Sequence, residues 1–270
     1  MVFKMILASD YDGTLCRGQI TERDRQAIIR FREAGHLFGV VTGRDFPLAY
    51  EPLTGENGVP FDFIICMNGA LAVDSKGDIL FEKTADGAVI PALFQTVLEA
   101  GAGYLGIVTG KTRQNFTPDD FDDPDYFSSF LRKYGVSASN YTSDGVPKEP
   151  HPRFTHANTW FSTEAEAARA VEMIRERHGD ALNPLQNHVC VDIPPAGVDK
   201  GTGIAEYADL MGIPHDEIWT AGDNYNDLAM LTRFRGCAME NGVEAAKKAA
   251  KGVYPDIAAI IEWGFSEAVF

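Results

Sequence analysis

The 270-residue sequence predicts an α/β fold, in which one parallel sheet is built from both ends of the chain and interrupted by a smaller α+β unit. Three observations predict it. Short apolar runs at 5–8, 36–41 and 63–67 each stop at polar residues followed by a glycine. A helical signal separates the first two runs, and short, mainly apolar runs of this length suit strands buried on both faces. After a middle stretch with a different pattern, strand and helix alternate again from residue 189.

The elements follow in order. The first strand runs into Asp10-Tyr11-Asp12-Gly13-Thr14. Thr21 opens a helix, with Asp24 three places on to complete a capping box. Ala27, Ile28 and Phe31 line one face of that helix, and Gly35 stops it. Residues 36–41 form a second strand ending at Thr42-Gly43-Arg44, and 63–67 a third ending at Asn68-Gly69. Residues 70–83 read as a hairpin turning at Ser75-Lys76-Gly77-Asp78. A helix over 89–99, a strand over 104–109, an irregular acidic and aromatic stretch over 117–126 and a strand over 156–161 come next. Thr163 with Glu166 opens an amphipathic helix that Gly179 ends. Val189, Val191 and Ile193 then alternate with Cys190 and Asp192. Asp199 caps a helix that Gly212 ends, a strand over 217–221 runs into Gly222-Asp223-Asn224, and a strand over 236–239 precedes a helix begun by Asn241. The expected division places 1–83 and 189–270 in the sheet domain and 84–188 in the insertion, which is of ordinary domain size.

Composition narrows the function. A net charge of −15 argues against a sequence-independent nucleic-acid surface or an anionic-membrane surface, both of which need basic patches. It permits an anionic substrate, because a few cations inside a cleft reverse the local field. The four cysteines, Cys16, Cys66, Cys190 and Cys237, are widely spaced and read as reduced structural thiols of a cytoplasmic protein. Charged residues come too early for a signal peptide, and no apolar run is long enough to span a bilayer.

Asp10 and Asp12 carry the chemical signal. Residues at i and i+2 of an extended chain point to the same side. Two acids therefore emerge together where a buried strand ends, although like charges held close repel. Solvated turn carboxylates are the ordinary alternative. An EF-hand loop fails, because its sixth position needs glycine and is Leu15 here. Asp223 and Asp227 offer further carboxylates at another strand end, and two such ends make an oxygen-rich site suited to Mg²⁺. Thr42 and Gly43 offer a hydroxyl and free N–H groups, or an ordinary turn. Lys200 begins a helix, where the macrodipole disfavours a cation and an anion site is at hand, although exposed lysines are common. His151 and His156 lack helical metal spacing, Gly201-Thr202-Gly203 lacks the last glycine of a dinucleotide loop, and the acids at 119, 120, 122 and 123 read as a solvated loop.

Taken together and in order, Asp10-Tyr11-Asp12-Gly13-Thr14, Val41-Thr42-Gly43-Arg44, Lys200 and Gly222-Asp223-Asn224-Tyr225-Asn226-Asp227 resemble the four motifs of the haloacid dehalogenase (HAD) superfamily of phosphatases. The long insertion resembles the C2-type cap of its Cof-like subgroup, and Asn68-Gly69-Ala70 and Cys237-Ala238-Met239-Glu240-Asn241 resemble further subgroup signatures. Residues 253–259 depart from the subgroup pattern. The resemblance implies a Rossmann-like core with an inserted α+β cap that closes over the site. It implies a Mg²⁺-dependent phosphatase acting on a small phosphorylated metabolite, with no nucleic-acid or membrane partner. By the same resemblance Asp10 attacks phosphorus to form an aspartyl-phosphate, and Asp12 protonates the leaving alcohol and then activates water. Thr42, Gly43 and Lys200 hold the phosphoryl oxygens, with Asn226 assisting. Asp10, the backbone carbonyl of Asp12 and Asp223 bind the metal, and Asp227 orients Lys200 or a metal-bound water. A sugar phosphomutase and a non-catalytic module that binds a phosphorylated metabolite are the alternatives on the same scaffold.

Overall fold

The computed structural model describes residues 4–118, 141–143, 145–147 and 153–267. It opens with strands β1 (Ile6–Ser9), β2 (Leu37–Val41), β3 (Phe63–Cys66), β4 (Leu71–Asp74) and β5 (Ile79–Glu82), among which lie helices α1 (Glu22–Glu33) and α2 (Phe46–Thr54). The middle contains β6 (Ala85–Asp86), α3 (Ile90–Glu99), β7 (Leu105–Thr109), β8 (Thr112–Phe116), β9 (Tyr141–Ser143), β10 (Arg153–Phe154) and β11 (His156–Trp160). Helix α4 (Glu164–His178), β12 (Leu185–Asn187), β13 (Cys190–Ile193) and α5 (Lys200–Met211) follow. The chain closes with β14 (Ile218–Gly222), α6 (Leu228–Arg233), β15 (Arg235–Met239), α7 (Glu244–Ala249), β16 (Gly252–Tyr254) and α8 (Ile257–Ser266). The fold class is the one the sequence predicts. Two compact units appear, one of Met1–Arg44, Ala49–Phe81 and Asp199–Phe270, the other of Asp45–Leu48 and Glu82–Val198.

The first unit is built on an eight-stranded sheet ordered β16-β15-β14-β1-β2-β3-β4-β5. Strands β16 to β3 in that order are parallel, and β4 turns back antiparallel to β3. The central strands β1, β2, β3 and β14 are buried at every position, as a sheet covered on both faces requires. Burying one Ile, Leu or Phe side chain there contributes about 1.5–3 kcal/mol. Thr21 caps α1 as expected, while Asp24 gives its carboxylate to the Thr21 hydroxyl and the Ala258 N–H, which ties α1 to the start of α8. Gly212, at φ +66°, ends α5 in the left-handed conformation.

The second unit has a six-stranded sheet ordered β12-β13-β11-β7-β8-β9, and a short ribbon of β6 with β10. Ile90, Leu93, Phe94 and Val97 of α3, and Ala167, Ala170, Val171 and Ile174 of α4, pack with Leu105, Ile107, Val191 and Ile193 into one apolar core. Thr163 and Glu166 close the capping box of α4 that their spacing predicts.

The two units divide the chain at other points than the expected ones, with 45–48, 82–83 and 189–198 in the second unit, and the structure adds elements. Residues 189–198 were expected with the first sheet. Strand β13 instead pairs antiparallel with β11 and β12, and that stretch belongs to the second unit. Its apolar–polar alternation suits an antiparallel strand, whereas the first sheet uses continuous apolar runs; in the structure Val191, Asp192 and Ile193 are all buried. Asn241 does not cap α7, whose N-cap is Val243; the Asn241 amide donates to the Gly13 carbonyl at 2.8 Å. Helices α2 and α8 and strands β8 and β12 were not expected. His151 and the acids at 119, 120, 122 and 123 lie outside the described residues. Among the described residues no helix is long and apolar enough to cross a membrane.

Candidate active site

The winding of the large sheet reverses at β1, which lies between β14 and β2. The three strands are parallel, with Ser9 level with Val40 on one side and Ala221 on the other. Their carboxyl ends therefore lie side by side, at the edge where open α/β sheets bind ligands. Asp10 follows β1, Thr42 follows β2 and Asp223 follows β14.

Helix α5 brings Lys200 to this edge. Asp199 and Thr202 form a reciprocal capping box that fixes the first turn. Gly69, at φ +109°, lets the turn after β3 approach that helix start, since a Cβ there would lie 2.1 Å from the Asp199 carbonyl oxygen. Lys200 is fully buried, and its Nζ donates to Asp10 Oδ1 and Asp227 Oδ1, each at 2.6 Å. Burial alone would lower the lysine pKa, but the two carboxylates outweigh it and the net shift is upward. Lys200 is a fixed cation. The other oxygen of Asp227 accepts the N–H groups of Asp223 and Asn224 at 2.8 and 2.9 Å. Both oxygens of Asp227 are thus engaged in holding the 222–227 loop and aiming Lys200.

Asp223 accepts the Thr14 hydroxyl on Oδ1 at 2.7 Å. Its other oxygen lies against Gly13, which has φ +84°; a Cβ there would lie 2.4 Å from Asp223 Oδ2. Gly13→Ala should therefore cost about 1–2 kcal/mol of stability from backbone strain and displace the Asp223 carboxylate. Chemical denaturation and steady-state turnover check it: the variant is expected to lose activity by roughly tenfold or more, as a misplaced binding group does.

Carboxylate oxygens of Asp10, Asp223 and Asp227 lie within 4.8 Å of one another. Burial pushes the Asp10 carboxyl well above the usual range; Lys200 opposes this, and Asp227, Asp223 and Asp12 add to it. Burial also raises Asp223, with the Thr14 hydroxyl partly offsetting it. Three acids thus face one lysine. The donors are all hard oxygens, and Gly13 leaves open the space beside Asp223 that a Cβ would fill. That donor set fits a small divalent cation such as Mg²⁺.

The other predicted residues stand around this cluster. Asp12 is outside it, with its side chain 55% exposed, and Arg44 grips both its oxygens, Nε to Oδ2 at 2.7 Å and Nη2 to Oδ1 at 2.6 Å. Thr42 is buried and its hydroxyl oxygen accepts the Arg44 N–H at 3.1 Å, so its own O–H proton remains to be donated. Asn226 donates to the side-chain oxygen of Asn68 at 3.2 Å.

A profile of the haloacid dehalogenase-like hydrolases matches residues 7–259. The chain belongs to that family. The 5-amino-6-(5-phospho-D-ribitylamino)uracil phosphatase YitU of Bacillus subtilis is 40% identical over 91% of this chain and 90% of its own. The pyridoxal phosphate phosphatase YbhA of Escherichia coli is 26% identical over 93% of each. A solved structure described as a HAD/COF-like hydrolase from Plasmodium vivax superposes with a TM-score of 0.79 at 22% identity, covering 98% of this chain and 96% of that one. The protein is an enzyme, a haloacid dehalogenase-like phosphatase.

Sequence reasoning about this phosphatase missed Thr14, Asn68 and Asn241 as supports and left Arg44 without a role. Each lies beside a residue it did single out. The polar residues directly after a strand-end motif were the available signal.

Proposed function

We propose that the protein is a Mg²⁺-dependent phosphatase that hydrolyses a small phosphorylated metabolite through an aspartyl-phosphate on Asp10. The observation that carries this reading is Lys200, buried and shared between Asp10 and Asp227 at the edge of the sheet where β1, β2 and β14 end. A buried cation beside a strand-end carboxylate suits the meeting of an anionic nucleophile with an anionic phosphate. The relatives YitU and YbhA are named for small phosphomonoesters, which supports the substrate class.

Lys200 holds Asp10 Oδ1, so Oδ2 is the oxygen aimed at phosphorus. As the Asp10 oxygen–phosphorus bond forms, the ester P–O bond breaks, and Asp12 gives its proton to the departing alcohol oxygen. Asp12, now a carboxylate, takes a proton from water as that water attacks phosphorus. The Asp10 oxygen–phosphorus bond breaks in that step, inorganic phosphate leaves, and Asp10 is restored as a carboxylate with Asp12 protonated again. The Lys200 ammonium, the Thr42 hydroxyl and the Gly43 N–H bind the phosphoryl oxygens throughout, with Asn226 completing the ring. Asp10, Asp223 and the Asp12 backbone carbonyl would hold Mg²⁺. Bound there, the ion supplies charge neutralisation at the phosphoryl group.

The test is a panel of phosphomonoesters, sugar phosphates and pyridoxal phosphate among them, assayed with and without Mg²⁺. Release of inorganic phosphate that needs Mg²⁺ is the expected result. Silence across the panel, or isomerisation of a sugar phosphate without release, would sink the proposal.

A further inference from the structure

The exposure of Asp12 poses a physical problem. An acid that delivers a proton must be held in line with the leaving oxygen, and loose placement costs orders of magnitude in rate. The backbone of its turn is fixed: Cys16 N–H donates to the Tyr11 carbonyl at 2.8 Å, Gly13 N–H to the Cys16 carbonyl at 3.0 Å, and the Asn241 amide to the Gly13 carbonyl. The Asp12 side chain, more than half exposed, has no such packing of its own.

Arg44 supplies what is missing. Its side chain is 15% exposed against 55% for Asp12. It is braced at its backbone, its N–H donating to Thr42 Oγ1 at 3.1 Å and its carbonyl accepting Met67 N–H at 3.0 Å. Its guanidinium lies over the Tyr11 ring at 4.5 Å and grips both Asp12 oxygens as a fork. A planar fork on a carboxylate fixes the rotation of the acid as well as its position. An ordinary exposed ion pair joins two loose side chains and contributes little. Here one partner is anchored and the other is free, so the pair serves placement. The same strand end also carries Thr42, two residues before Arg44. One rigid segment would then set both the phosphoryl-binding hydroxyl and the acid.

We propose that Arg44 is the positioning residue of Asp12, fixing the acid that protonates the leaving alcohol. The inference rests on the reading of Asp12 as that acid, and the experiment separates the two. The value of kcat/KM reports only the steps through alcohol release. An alkyl phosphate such as glycerol 1-phosphate needs a proton at the leaving oxygen, and 4-nitrophenyl phosphate, whose leaving group is a weak base, does not. Asp12→Asn is the control and should lose kcat/KM on the alkyl ester by about a hundredfold or more relative to the aryl ester, within the usual range for general acids. Arg44→Gln should show the same selectivity, about 30-fold or more on the alkyl ester and less than about fivefold on the aryl ester. Arg44→Lys keeps a charge but loses the fork, so its selective loss should be intermediate; it also tests the point if the Gln variant fails to fold, which thermal melts will reveal. Equal losses on both esters in the Arg44 variants, or none, with Asp12→Asn still selective, would overturn the role of Arg44 alone. An unselective Asp12→Asn would remove the acid reading, and this inference with it.

Discussion

Asp10→Asn is expected to lower kcat by about 10⁴-fold or more, because the amide cannot act as the nucleophile of a covalent pathway. The same variant should be no less stable than wild type in metal-free buffer. Asp10 is buried beside two other acids, and its carboxyl is held well above the ordinary range, so its charged form is disfavoured in the fold. Removing that charge relieves repulsion while Asn keeps the shape. Active sites commonly trade stability for function in this way. The check is paired: phosphate release under saturating substrate, and thermal melting in EDTA. Turnover within a hundredfold of wild type would refute the assignment of the nucleophile.

Lys200→Met is expected to damage both function and stability. The methionine fills much of the same volume, but Asp10 and Asp227 lose a shared cation inside the protein. Breaking a buried ion pair from one side typically costs about 3–5 kcal/mol. Asp227 keeps two backbone N–H donors, so Asp10 bears most of the loss. The deficit should depend on pH with a definite sign. Burial already raises Asp10 in the fold, and removing Lys200 takes away the group that opposes this. A carboxyl whose folded pKa exceeds its unfolded value makes the folded state bind more protons, so stability is lost as the pH rises through the folded value. The variant should therefore approach wild type most closely at acid pH and fall furthest behind near neutrality. Urea melts in EDTA at pH 5 and 7.5 measure this. A deficit that grows on acidification would contradict the arrangement, as would phosphatase activity near the wild-type level.

The meeting of the candidate site residues was more legible in the sequence than parts of the fold. Strand ends with two acids, a threonine before glycine and a capped lysine are local signals, and the parallel sheet gathers them because its carboxyl ends share an edge. Asp10, Asp223, Asp227 and Lys200 meet for that reason. The role of Arg44 was not legible, since its grip on Asp12 joins residues 32 apart and no local rule specifies it. Helix α2 hid behind Pro52, which sits inside it. Strand β13 shows the opposite failure: its alternation was plain, but alternation fits an antiparallel partner, and the partner lay in the other sheet. Asn241 looked like a cap by spacing, and tertiary demand placed its amide on Gly13 instead.

The pairing of β1 with β14 joins segments more than two hundred residues apart, Ile6 with Ile218 and Ser9 with Ala221. During synthesis β1 emerges well before β14 and its β14-facing edge stays unpaired until that strand has been made. A fragment that stops between Met211 and Ile218 keeps Asp10 and Lys200 but lacks Asp223 and Asp227, and it exposes a hydrophobic strand edge of the kind that invites aggregation. In this molecule, completing the acid cluster and covering that strand edge both wait on β14.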